Sequence, residues 1–169
     1  MNKTINNNKV IIINGSAGTG KDSFVKLCQQ ISTKIMNVST IDYPKQIARY
    51  FGWEGEKDEK SRRMLSGLKD LLTEYDDIPF KKIKQFIMAC KNQKIFVHCR
   101  EPHEIERLKK EYNAITLLIT NPNVATISTN HADAEVYNYQ YDWVISNDGT
   151  LEDLKDKAEI FLSEINKGD

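Results

Sequence analysis

Between Val10 and Ser23 the chain reads VIIINGSAGTGKDS. Four apolar β-formers, Val10 to Ile13, run into a glycine-rich turn, and the turn runs into Lys21 and an apolar-periodic helix. Gly15, Gly20 and Lys21 stand at the spacing G-x-x-x-x-G-K, with Gly18 between them. That is the pattern of a phosphate-binding loop flanked, as it must be, by a buried strand and a helix. Glycines at these places let the backbone of Gly15, Ser16, Ala17, Gly18, Thr19 and Gly20 curl so that successive N–H groups converge on one anion. The helix that follows adds its positive N-terminal end, and Lys21 adds an ammonium for the outer phosphates.

The loop departs from the common pattern in one residue. A Ser or Thr whose hydroxyl binds Mg²⁺ normally follows the lysine; here Asp22 stands there, with Ser23 next. Asp22 could hold a divalent ion directly or through water, or simply sit well in a helical first turn. Asp22 and Ser23 are the expected metal-side residues.

The rest of the chain alternates strand and helix. Residues 35–41 read as a second strand ending at Asp42. Pro44 enters a helix that would bury Ile47, Ala48 and Phe51 and stop at Gly52. Lys57 to Tyr75 carries Met64, Leu65, Leu68, Leu71 and Leu72 at helical spacing. Residues 76–79 break it before a helix marked by Ile83, Phe86, Ile87 and Cys90. Lys94 to His98 is a third strand, Glu104 to Tyr112 a helix entered through Pro102, and Ile115 to Ile119 a fourth strand. Trp143 to Ile145 is a fifth. Thr150 and Asp153 then form a capping box for a last helix with Leu151, Leu154, Ala158, Leu162 and Ile165 inward. Strands that are continuous apolar runs, alternating with helices, describe an α/β fold: a five-stranded parallel sheet covered by helices on both faces.

One domain is expected over 1–169, with residues 1–8 a polar, flexible tail. Lys and Arg number 24 and Asp and Glu 24, so no basic field argues for nucleic acid or an anionic membrane surface. No apolar run reaches transmembrane length and the start MNKTINNN has no signal-type apolar region, so a cytoplasmic protein is expected. Cys28, Cys90 and Cys99 are expected to be buried free thiols.

In a parallel sheet ligands bind beyond the carboxyl ends of the strands. Asp42 follows the second strand; it would orient an acceptor hydroxyl or a metal-bound water, or cap the helix entered by Pro44. Lys57 and Arg62 could hold an acceptor phosphate, or belong to a solvated helix face. Arg100, two residues past the third strand, faces the loop edge and could neutralise a transferred phosphoryl or anchor the acceptor phosphate; its neighbour Glu101 could pair with it. His98 stands near where such proteins carry the Asp of the Mg²⁺ shell, and reads better as a packed strand residue than as a ligand. Residues 121–141 fit a lid over a nucleotide, although the segment has no arginine and offers instead Asn121, Asn123, Asn130, His131 and Asp133.

Three stretches give the chain a resemblance to the nucleoside/nucleotide kinase group of phosphate-loop proteins, closest to deoxynucleoside monophosphate kinase-like and phosphomevalonate kinase-like members. They are GSAGTGKDS, VHCREPHEIERL and YDWVISNDGTLEDL. The resemblance implies a three-layer P-loop kinase fold, with Gly15, Gly18, Gly20 and Lys21 cradling the triphosphate of ATP. Asp22 or Ser23 would lie near Mg²⁺, Arg100 at the phosphates, and Asn147, Gly149 and Thr150 near the base.

The expected function is ATP-dependent transfer of the γ-phosphoryl to a small phosphorylated acceptor, a (deoxy)nucleoside monophosphate. Lys21, Arg100 and Asp42 would carry the chemistry, and Asp42, Lys57, Arg62 and Arg100 the acceptor. The alternatives are a kinase of a non-nucleotide metabolite phosphate and a nucleotide-binding sensor without turnover. A GTPase switch is disfavoured by the lack of an N-K-x-D guanine reader.

Overall fold

A computed structural model describes residues 7–124 and 136–167. Its strands are β1 (Lys9–Asn14), β2 (Ile35–Ser39), β3 (Lys94–His98), β4 (Ile115–Thr120) and β5 (Trp143–Ser146). Its helices are α1 (Lys21–Ile31), α2 (Asp42–Tyr50), α3 (Glu59–Asp76), α4 (Ile78–Ala89), α5 (Pro102–Tyr112) and α6 (Leu151–Lys167). All strands are parallel, in the order β2-β3-β1-β4-β5.

The pleat divides the core in two, because successive strand residues point to opposite faces. Ile11, Ile13, Phe96, Leu117 and Ile119 face α1 and α6, where Phe24 and Phe161 meet edge-on at 5.8 Å. Val10, Ile12, Ile95 and Val97 face α4 and α5, against Phe80, Ile83, Ile87, Ile105 and Leu108. The central strands β1, β3 and β4 are buried on both sides, which is why they read as unbroken apolar runs rather than alternation. The edge strands β2 and β5 are partly exposed. α2 and α3 pack against α4 and each other, beside this second layer.

Several expected details change. β2 ends at Ser39, two residues early. Phe51 and Leu151, expected inward, are 80% and 66% exposed, and Met64 and Leu71, at helical spacing along α3, are exposed as well. Their spacing is helical, but among the described residues these side chains stay open to solvent. Asn8, placed in the tail by its sequence, is tied down: its Nδ2 donates to the carbonyls of Ile87 (2.8 Å) and Cys90 (2.9 Å), and its Oδ1 accepts from the Gln93 N–H. Cys28 and Cys99 are buried and Cys90 half-buried, all as free thiols. Residues 1–6 of the tail and 125–135 of the lid-like segment lie outside the described residues.

Candidate functional site

Parallel topology brings every strand's carboxyl end to one edge, and the loop between β1 and α1 lies at its centre. Gly15 has φ +145°, and a Cβ there would overlap the carbonyl oxygen of Ile119 on β4. Gly20 has φ +98°, and a Cβ there would overlap the amide of Asn147. Glycine is required at both for backbone conformation and for space. Lys21 Nζ reaches back over the loop and donates to the carbonyls of Gly15 (2.6 Å) and Ser16 (2.7 Å). Ser16 and Thr19 are buried, Ala17 and Gly18 exposed at the rim.

Two asparagines that hold the loop have different histories in the sequence. Asn14 ends β1; its Oδ1 accepts from the Gly15 N–H at 2.8 Å and its Nδ2 donates to Tyr141 Oη at 2.8 Å and, at 3.4 Å, to the Arg100 carbonyl. Tyr141 in turn donates to the Val136 carbonyl. Neither Asn14 nor Tyr141 is among the expected site residues, though a fully buried polar residue closing an apolar strand is a readable signal. Asn147, expected near a base, donates to the Thr19 carbonyl at 3.0 Å. Thr150 is engaged in the capping box with Asp153, whose Oδ2 accepts from the Thr150 N–H at 2.7 Å, and Gly149 makes room for that carboxylate.

Asp22 and Ser23 are exposed on the first turn of α1. The Asp22 carboxylate lies 3.9 Å from His98 Nδ1, and a solvent-facing carboxylate with a hydroxyl beside it is an oxygen donor set of the kind Mg²⁺ takes. Burial pushes the His98 imidazole below its ordinary pKa; the Asp22 carboxylate opposes this and Lys21 adds to it, so the ring is held neutral.

Asp42 is the first residue of α2 and does not cap it. Its Oδ2 accepts from the Ser39 N–H at 2.7 Å, closing the turn from β2, while Lys45 Nζ stands 4.0 Å away. Beside it lies a groove of about 170 Å³ whose lining includes Val38, Ser39, Asp42, Tyr43, Lys82 and Phe86. Lys82 Nζ sits 4.8 Å over the Tyr43 ring, a cation–π pair. Lys57 and Arg62 are exposed and do not line this groove.

Arg100 is half-buried, directly after Cys99 at the β3 end. Glu101 does not pair with it: Lys69 of α3 takes Glu101 at 2.7 Å and Glu104 at 2.8 Å. Glu104 is 2% exposed and accepts also from the Cys99 thiol at 3.4 Å. The ligand atoms of Cys99, Glu101 and Glu104 lie within 4.8 Å of one another, and the Lys69 ammonium supplies the cation among them. Burial and the neighbouring Glu104 carboxylate push the Cys99 thiol well up, and burial pushes Cys28 up to about 12, so neither is a nucleophile at neutral pH.

The sheet order and the loop between β1 and α1 together are the P-loop kinase fold. No family model matches the chain, and no curated protein matches its sequence. Solved structures do match it. Shikimate kinase from Aquifex aeolicus aligns at 11% identity with TM-score 0.53, covering 95% of this chain and 99% of that one. Dephospho-CoA kinase from Campylobacter jejuni aligns at 14% identity with TM-score 0.55, covering 94% and 97%. APS kinase from Mycobacterium tuberculosis, solved with AMPPNP and APS, aligns at 9% identity with TM-score 0.52, covering 92% and 98%. At these identities the likeness is one of fold. Among the described residues no helix is long and apolar enough to cross a membrane.

Proposed function

We propose that this protein is an ATP-dependent kinase of a small phosphorylated acceptor, a (deoxy)nucleoside monophosphate. The observation that carries the reading is one shared sheet edge: the loop with Lys21 Nζ folded over it, Arg100 at the end of β3, and the Asp42 groove at the end of β2. In phosphoryl transfer the protein has little covalent chemistry to do, and positioning with electrostatics supplies the rate. The loop N–H groups and Lys21 hold the nucleotide phosphates. Asp22 and Ser23 are the residues that would hold Mg²⁺, which neutralises charge on those phosphates when bound. Arg100 meets charge developing on the transferred group.

The groove supports a ring-bearing acceptor. Tyr43, Phe86 and Val38 give it aromatic and apolar walls, while Asp42 and Gln46 offer hydrogen-bonding edges and Lys82 a cation. A nucleobase has that combination of faces and edges. Asp42, spent on the Ser39 N–H through one oxygen, keeps acceptor capacity on the other. Lys57 and Arg62 remain the cations proposed to reach the acceptor phosphate from beyond the groove. The test is a coupled assay for ADP with Mg-ATP across the nucleoside monophosphates. Turnover on one of them, reduced at least about tenfold in kcat/KM by Asp42→Asn, supports the reading. ADP formation with none of them contradicts it.

A further inference from the structure

We propose that α3 is a self-association surface through which two copies of this chain pair, antiparallel, about a two-fold axis at Gly67. This inference does not rest on the kinase reading. α3 buries Ser61, Leu65 and Lys69 against its own protein. Along a neighbouring stripe lie Met64, Leu68, Leu71 and Tyr75, at the four-three-four spacing of a two-helix seam. Leu68 is half-buried, yet Met64 is 41%, Leu71 64% and Tyr75 82% exposed. Apolar side chains in that order on one line are covered when a second helix lies along them.

Charge identifies the second helix as another copy. Among its exposed charges the first half of α3 sets Lys60, Arg62 and Arg63 against Glu59, a net positive charge. The second half carries Asp70, Glu74 and Asp76, Lys69 being buried against the protein. Laid antiparallel on itself, the helix sets each half against its opposite; laid parallel, it sets like against like. With the axis at Gly67, Lys60 stands opposite Glu74 of the second copy, and Met64 beside Leu71 of the second copy. Gly67 is the register mark. It lies inside the helix, where glycine is the poorer choice over alanine, and the space a Cβ would fill there is open. The missing side chain lets two backbones approach at the crossing. The contact is isologous, so it closes at two copies. A stripe of three turns is a small interface, and a micromolar dimer is expected.

The test is sedimentation equilibrium of the full chain across the micromolar range, with circular dichroism to check the fold of each variant. Wild type should show a concentration-dependent monomer–dimer equilibrium. Lys60→Glu and Glu74→Lys should each weaken the dimer by about tenfold or more, since each turns two symmetric attractions into repulsions. The double variant Lys60→Glu/Glu74→Lys should return to within about threefold of wild type. Leu71→Glu, which removes the seam without touching the charge pairs, should abolish it. A monomeric wild type throughout the range, a dimer indifferent to either charge reversal, or a double variant no better than the singles would each overturn the proposal.

Discussion

Asn147 Nδ2 donates to the Thr19 carbonyl at 3.0 Å and occupies the space that a side chain on Gly20 would need. One amide on the β5 side of the sheet thus fixes the last turn of the phosphate loop. The consequence is a coupling between two residues 127 apart in the chain, and it is measurable.

Gly20→Ala must hold a Cβ at φ +98° and displace that amide, so a loss of about 1–3 kcal/mol is expected. Asn147→Ala loses the hydrogen bond, worth about 0.5–1.5 kcal/mol. In the double variant the overlap is gone but the backbone strain stays. The two losses should then be less than additive in urea denaturation, whereas strict additivity would separate Asn147 from the loop.

Lys69 is the counter-ion for the buried Glu104 and the half-buried Glu101, and its removal should be among the costliest substitutions in the chain. Burial alone would lower its pKa, but Glu104 and Glu101 outweigh burial and raise it, so the ammonium is charged. Lys69→Met leaves Glu101 and Glu104 together without a cation, for an expected cost of about 3–5 kcal/mol at neutral pH. The sign of the pH dependence follows from the pair. Burial opposes ionisation of Glu101, yet Lys69 holds its pKa below the ordinary value, so its stabilisation is present above that value and lost as pH falls through the folded one. For Glu104 burial wins and the pKa is raised even with Lys69 present. Without Lys69 both carboxyls favour the protonated form, and the gap between variant and wild type should narrow as pH falls from 7 towards about 4. A gap that widens on acidification would contradict this assignment.

How much of this was legible in the sequence depends on the range of the interaction. The strand, loop and helix from Val10 to Ile31 could be read because glycine spacing and apolar runs are local signals. The capping box of Thr150 and Asp153 stood out for the same reason. Helix periodicity locates α3, but it does not say how wide a face the protein covers, and Met64 and Leu71, at the same helical spacing as Leu65, stay exposed. Phe51 departs similarly: it follows the last turn of α2, where it meets only the edge of the exposed Tyr50 ring among the aromatic contacts of the described residues and stays 80% exposed. The ties that build the site are long-range pairs of polar residues, Asn14 with Tyr141 and Lys69 with Glu104, and no spacing rule announces them. Asp42 was correctly placed after the second strand, yet its partner is the Ser39 N–H behind it rather than the helix ahead.

His98 offers a probe of the loop from below. Its pKa is lowered chiefly by burial, so the folded state favours the neutral ring and the unfolded state takes up a proton first. Stability should therefore fall as pH drops through the ordinary histidine value of 6.5 towards the folded one. His98→Gln should lose less stability than wild type between pH 7 and pH 5, followed by thermal denaturation. Asp22→Asn removes a charge that supports the imidazolium, and should lower the His98 pKa further when its ring proton is titrated by NMR. A rise would place Asp22 elsewhere than beside His98.

Lys21 carries the central claim, that the loop between β1 and α1 binds the phosphates of a nucleotide. The direct measurement is thermal denaturation with and without Mg-ATP, for wild type and Lys21→Ala. At a concentration one hundred times Kd, a ligand that binds only the folded state adds about 2.7 kcal/mol, a rise of several degrees for a chain of this size. The expected result is that rise in wild type and its loss in Lys21→Ala, with both proteins melting alike in the absence of nucleotide to within about 1 kcal/mol. A wild type whose melting temperature does not move with Mg-ATP, or a variant that is stabilised as much as wild type, would contradict the account.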